Sequence, residues 1–79
     1  MKKNNYILLK RISQYPETEG VSLILLDRWV IKNYPELIEN NEFISILNEL
    51  ADNHLIEIVD KRLALITKIG QDTMLEWAT

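Results

Sequence analysis

Leu65-Ile66-Thr67-Lys68-Ile69-Gly70 is the stretch whose reading decides the fold, because a strand pattern turns into a helix pattern within six residues. Leu65 and Ile66 close an apolar run of strand type. Thr67 carries a hydroxyl suited to capping a helix, and from Lys68 to Trp77 the apolar residues Ile69, Met74, Leu75 and Trp77 supply the contacts of a final helix. Just upstream, Leu55-Ile56-Glu57-Ile58-Val59 and Leu63-Ala64-Leu65-Ile66 flank Asp60-Lys61-Arg62, which is the pattern of a β-hairpin.

Working towards the N-terminus, residues 41–52 place Phe43, Ile46, Leu47 and Leu50 at i, i+3, i+4 and i+7, so a third helix is expected there. Asn53 is suited to close it as a C′ residue in the left-handed region. Residues 35–40 form a turn or a single helical turn. The second helix spans residues 23–33, with Ser22 as its N-cap and Tyr34-Pro35 as its stop. A first helix over residues 4–14 lines up Ile7, Leu8, Ile12 and Tyr15 and ends before Pro16, which disfavours a helical residue ahead of it. Residues 16–20 are a loop.

The second helix is apolar nearly all round, through Leu23, Ile24, Leu25, Leu26, Trp29, Val30 and Ile31, more than one face can bury in so small a domain. Two readings stay open. Either part of that surface meets another chain, with Leu25, Trp29 and Trp77 as the interface candidates, or residues 21–25 begin as a strand that pairs with the hairpin.

A chain of 79 residues reads as a single domain over residues 1–79, with one modest core and no room for a cleft between subdomains. A binding module is expected rather than an enzyme. Hydrophobic residues make up 47% and charged residues 27%, the balance of an ordinary globular protein. The longest apolar stretch, residues 21–26, is far short of the roughly 20 residues a bilayer helix needs. No small-residue cleavage site follows Met1-Lys2-Lys3, so a cytoplasmic protein without a membrane partner is expected. The absence of cysteine excludes disulfides, zinc ribbons and thiol catalysis together.

The net charge of −3 is unevenly spread. Residues 1–16 carry +4 and no acid, residues 17–57 carry −7, and the remainder is neutral. The middle of the chain is therefore acidic where a nucleic-acid reader is usually basic.

The order helix, helix, helix, hairpin, helix, with the run Leu47-Asn48-Glu49-Leu50-Ala51-Asp52-Asn53-His54-Leu55-Ile56 leading into the hairpin, resembles winged helix-turn-helix proteins of the MarR and PadR kind. The matching stretch is Leu47 to Leu75, and Leu65-Ile66-Thr67-Lys68-Ile69-Gly70 is similar to the Leu-Thr-x-x-Gly exit from the wing in those families. The small size is more like the compact winged-helix proteins of phages and mobile elements. The resemblance implies a mainly α fold with a small β-hairpin: a three-helix core, a two- to three-stranded wing and a C-terminal helix.

It also implies that the exposed face of the third helix enters the major groove and that the wing tip touches the backbone. Asn41, Ser45, Asn48 and Asp52 lie opposite Phe43 and Leu50. Asn41 and Asn48 could each read an adenine edge, and Ser45 a base or phosphate, although any amphipathic helix shows a polar face there. That helix has no Lys or Arg, and Glu42, Glu49 and Asp52 face a polyanion. Phosphate contacts then fall to Lys2, Lys3, Lys10 and Arg11 on the first segment and to Lys61 and Arg62 at the wing tip, whose charges equally suit edge protection of a hairpin.

Other chemistry finds little support. One histidine, no cysteine and acids at solvated-face spacings give no metal constellation and imply no cofactor. His54 reads as a partly buried imidazole bonded to nearby backbone. With Gly20 and Gly70 as the only glycines there is no phosphate-cradling loop for nucleotide hydrolysis. Trp29 and Trp77 could stack on a ligand or a base, but apolar helical positions fit core or interface.

Two functions remain. One is a DNA-binding regulator, dimeric through its second or last helix. The other is a protein-association module whose acidic third-helix face meets a basic partner.

Overall fold

The computed structural model describes residues 1–78. The chain runs α1 (Lys3–Ser13), β1 (Val21–Ser22), α2 (Leu23–Asn33), α3 (Pro35–Glu39), α4 (Glu42–Asp52), β2 (Ile56–Val59), β3 (Leu63–Ile66) and α5 (Lys68–Ala78). It is mainly helical, with one antiparallel sheet in the order β1-β3-β2.

α4 forms where its apolar spacing puts it, and Phe43, Ile46, Leu47 and Leu50 are all buried. Asn41 precedes it with φ 57° and ψ 28°, a left-handed conformation that asparagine tolerates better than most residues. At the other end the chain reverses by a Schellman closure. The Leu55 N–H donates to the Leu50 carbonyl (3.0 Å) and the His54 N–H to that of Ala51 (3.0 Å), satisfying two carbonyls that the helix leaves bare.

The residue that pivots is His54, with φ 60°, not Asn53, whose φ is −89°. Asn53 instead donates its side-chain amide to the Glu49 carbonyl (2.8 Å). The His54 imidazole is exposed rather than partly buried, so only the histidine's backbone is used. A β-carbon in this conformation is unfavourable by about 1–2 kcal/mol. His54→Gly should therefore raise stability by about 0.5–1 kcal/mol, checked by the urea midpoint of wild type and variant side by side.

β2 and β3 pair from Ile56↔Ile66 to Val59↔Leu63. Arg62 N–H donates to Val59 O (3.0 Å) across a turn in which Asp60 (φ 53°) and Lys61 (φ 57°) both have positive φ, the sign pattern of a type I′ hairpin. β1 adds to the free edge of β3 through Val21↔Ala64 and Ser22↔Leu63. Gly20 delivers it with φ 68°, and a β-carbon there would lie 2.5 Å from the Ala64 carbonyl oxygen.

Both readings of residues 21–25 thus hold in part. Val21 is buried against the hairpin, but the strand is two residues long and Ser22 already caps α2, its Oγ accepting the Ile24 N–H (3.2 Å). Ile24, Leu25 and Ile31 remain 66%, 54% and 50% exposed, because α2 packs through Leu26 and Val30 alone among its fully buried residues.

α1 is packed by α4, β3 and α5, and its buried stripe is Asn5, Leu8, Leu9 and Ile12, with Ile7 and Tyr15 half-buried. Leu9 takes the place expected for Ile7, since a helix enclosed by several neighbours buries a wider arc than one stripe.

Thr67 joins the sheet to α5. Its Oγ1 accepts the Gly70 N–H (2.9 Å) as an N-cap does, and donates to the His54 carbonyl (2.6 Å), while its N–H donates to Leu55 O (3.2 Å). Along α5 only Met74 of the expected apolar set reaches the core. Ile69 and Leu75 are exposed, because the side of α5 that meets the body is the one bearing Gly70 and Met74; Trp77, on that same side two turns after Gly70, is 42% exposed.

Candidate nucleic-acid interface

Ser45 and Asn48 lie three residues apart on α4, Asn41 stands just ahead of it as the N-cap residue, and all three are exposed, with Asp52 one turn beyond Asn48. Their side chains make no hydrogen bond among the described residues, so their donors and acceptors are available to a partner. α4 shows this face because its opposite stripe is held in the core by Phe43, Ile46, Leu47 and Leu50.

The acids flanking the face are drawn towards α1. Asn4 Nδ2 donates to Glu42 Oε2 (3.2 Å), and Lys2 Nζ lies 4.0 Å from Glu49 Oε2. The Lys2 side chain is 78% exposed, so this ion pair adds little stability; its effect is to put a cation next to an acid that would repel a phosphate. Lys2, Lys3 and Ser45 share one open groove of about 370 Å³ with Glu42 and Glu49.

Lys61 and Arg62 are exposed at the hairpin tip. They sit beside the start of α2, lining a hollow of about 310 Å³ with Ser22, Leu23 and Ile24. The candidate residues therefore divide between the groove of α1 with α4 and the tip of the hairpin. Asn41 stands at the far end of the α4 face, over a shallow hollow with Asp27, Leu37, Ile38 and Ile44.

Of the proposed interface residues, Leu25 is exposed and Trp29 half-buried one turn later on α2. Trp29 lies against Tyr34 (centroids 5.6 Å apart) and under the Arg11 guanidinium, 4.9 Å from the ring centre. Trp77 is 42% exposed and packs on Tyr6 from α1 at 4.3 Å.

Two features escaped the sequence reading. Ile44, 61% exposed, stands within the polar face of α4; the signal was present, since Ile44 is the large apolar residue of that helix outside the i, i+3, i+4, i+7 set. The other is the gathering of Tyr6, Tyr15, Trp29 and Tyr34 around Arg11, which joins residues far apart in the chain and leaves no local pattern.

No protein-family model, curated protein or solved structure matches this chain. Among the described residues no helix is long and apolar enough to cross a membrane.

Proposed function

We propose that this chain is a small winged helix-turn-helix protein that binds duplex DNA as a dimer and acts as a transcriptional regulator. The observation that carries the reading is the α4 face, where Asn41, Ser45 and Asn48 point outward with free hydrogen-bonding groups while Lys2 and Lys3 border the same surface. The element order and the β1-β3-β2 sheet are compatible with a winged-helix layout. In this reading Asn41 and Asn48 contact base edges, Ser45 a base or phosphate, and Lys2, Lys3, Lys61 and Arg62 the backbone on either side. Two half-sites combine through dimerisation, with Leu25, Trp29 and Trp77 as the candidate contact, so each docking can be weak.

Four phosphate-facing cations in each subunit, eight in the dimer, give a slope of log affinity against log salt of about −7. Lys61→Glu with Arg62→Glu removes four of them and should reduce the magnitude of that slope by about 4 and weaken binding at low salt by at least roughly a hundredfold. A gel-shift series on mixed genomic fragments at several salt concentrations checks this, and binding indifferent to salt and to both substitutions overturns it.

Ile44 favours a second reading, in which the acidic α4 face and this exposed side chain dock a basic protein. No retardation of any duplex at low salt, together with loss of protein association in Ile44→Asp, would favour it over DNA.

A further inference from the structure

Lys10 and Arg11 stand in a setting different from that of the other cations. Between α1 and the C-terminal half of α2 runs a groove of about 300 Å³ lined by Tyr6, Lys10, Arg11, Gln14, Trp29 and Tyr34. It holds two positive charges and three aromatic rings and no acid, in a chain whose acids outnumber its lysines and arginines. Among the described residues neither cation has a carboxylate within 4.0 Å.

Arg11 is the centre of the groove. Its guanidinium lies over Trp29 at 4.9 Å and near Tyr15 at 5.6 Å; one terminal nitrogen donates to Gln14 Oε1 (3.0 Å) and the other to the Tyr15 hydroxyl (3.3 Å). Both acceptors are neutral, and Nε is buried without an acceptor. A half-buried guanidinium over an aromatic ring, its terminal nitrogens bonded to neutral acceptors alone, is set for an oxyanion, whose charge makes the hydrogen bond roughly twice as strong.

We infer that this groove binds a nucleoside monophosphate, its phosphate on Lys10 and Arg11 and its base between Tyr6 and the Trp29–Tyr34 pair. Two cations without an acid match the charge of about −2 on a phosphate monoester better than the single charge of a carboxylate. Tyr6, Trp29 and Tyr34 line the groove beside the two cations, with Trp29 and Tyr34 tilted by 52° and their centroids 5.6 Å apart, so aromatic surface for stacking a planar base adjoins the charge that would hold its phosphate. The volume is at the lower limit of ligand pockets and admits one nucleotide unit. Binding is the whole of the inference, since no glycine-rich loop or acid is at hand for hydrolysis. The site is independent of the α4 face and of the hairpin tip, and shares only Trp29 with the candidate dimer contact, so it is open in the monomer.

The test is calorimetric titration of the full chain with adenosine monophosphate, paired with amide and indole chemical-shift mapping. Saturable binding is expected, with shifts centred on Tyr6, Lys10, Arg11, Gln14 and the Trp29 indole. Adenosine alone and inorganic phosphate alone should each bind at least about tenfold more weakly, as should the nucleotide to Lys10→Glu, the loss expected for one charge-assisted contact. Lys10 is exposed, so that variant should keep its melting temperature, and the Lys61→Glu, Arg62→Glu variant should bind the nucleotide as wild type does whether or not duplex binding exists. Absence of heat and shifts, shifts centred elsewhere, or undiminished binding by Lys10→Glu overturns the inference. Benzoate binding as tightly as the nucleotide, or a single-stranded oligonucleotide binding the groove far more tightly, overturns the assignment of the ligand.

Discussion

Gly70→Ala is expected to lower the melting temperature by roughly 12–24 °C, corresponding to about 3 kcal/mol in a domain of this size. Gly70 is buried in the first turn of α5, where the helix crosses the segment entering β2. A β-carbon on it would run into the Leu55 carbonyl oxygen, and would also lie 2.8 Å from Ile66 Cδ1 and 3.0 Å from the Leu55 carbonyl carbon. Leu55 cannot retreat, because its N–H is bonded to Leu50 and its carbonyl accepts the Thr67 N–H. The helix cannot retreat either without losing the Thr67 cap, in which the Gly70 N–H itself is the donor. A thermal melt by circular dichroism reads the loss. Ile69→Ala next door is the control: Ile69 is exposed, so the change should stay within about 0.5 kcal/mol. Equal melting of the two variants would show that α5 does not approach the strand as described.

Leu50→Ala should cost about 2–5 kcal/mol, a large share of the roughly 4–12 kcal/mol available to a chain of this length. Leu50 is 1% exposed and closes the apolar stripe of α4. Its carbonyl also accepts the Leu55 N–H, and in such a closure the side chains of these two positions pack together, so the cavity opens at the reversal that starts the hairpin. Urea unfolding followed by tryptophan emission measures it, with a midpoint lowered by about 1–2 M or more. A loss under about 1 kcal/mol would mean that the pocket left by leucine collapses without strain, contrary to its enclosure by Phe43, Ile46 and Leu47 on the same helix.

Much of this architecture is visible in the order of residues, for reasons that differ from place to place. Ser22 and Thr67 stand as caps at the two boundaries where they were expected, because a hydroxyl one residue ahead of a helix satisfies an amide whatever the rest of the chain does. The stripe of α4 and the hairpin are equally local, their periods differing clearly. What fails to show locally is anything settled by a neighbour. Asn53 has the stronger intrinsic preference for left-handed backbone, yet His54 adopts it, because Leu55 must swing back to reach the Leu50 carbonyl and the residue just before Leu55 makes the turn. In α5 the apolar residues Ile69 and Leu75 stay exposed while a glycine forms the close approach, and hydrophobicity gives no credit to a missing side chain.

The candidate interface follows the same division. The outward direction of Ser45 and Asn48 follows from the α4 period alone, whereas Asn41 precedes the helix in left-handed backbone that the period does not foretell. Placement of Lys2 and Lys3 beside Ser45 requires α1 to lie across α4, and placement of Lys61 and Arg62 beside Ile24 requires β1 to join β3. Neither is written in spacing. The groove around Arg11 is the extreme case, since it draws on residues from Tyr6 to Tyr34 that share no repeat or motif.

β3 is the strand to which both others are bonded, and residue order puts it after them. A chain that ends between Val59 and Leu63 has β1 and β2 but no middle strand to join them, so both would expose their amides and carbonyls. Pairing of either outer strand therefore waits for residues 63–66, so the whole sheet depends on the one strand nearest the end of the described elements save α5.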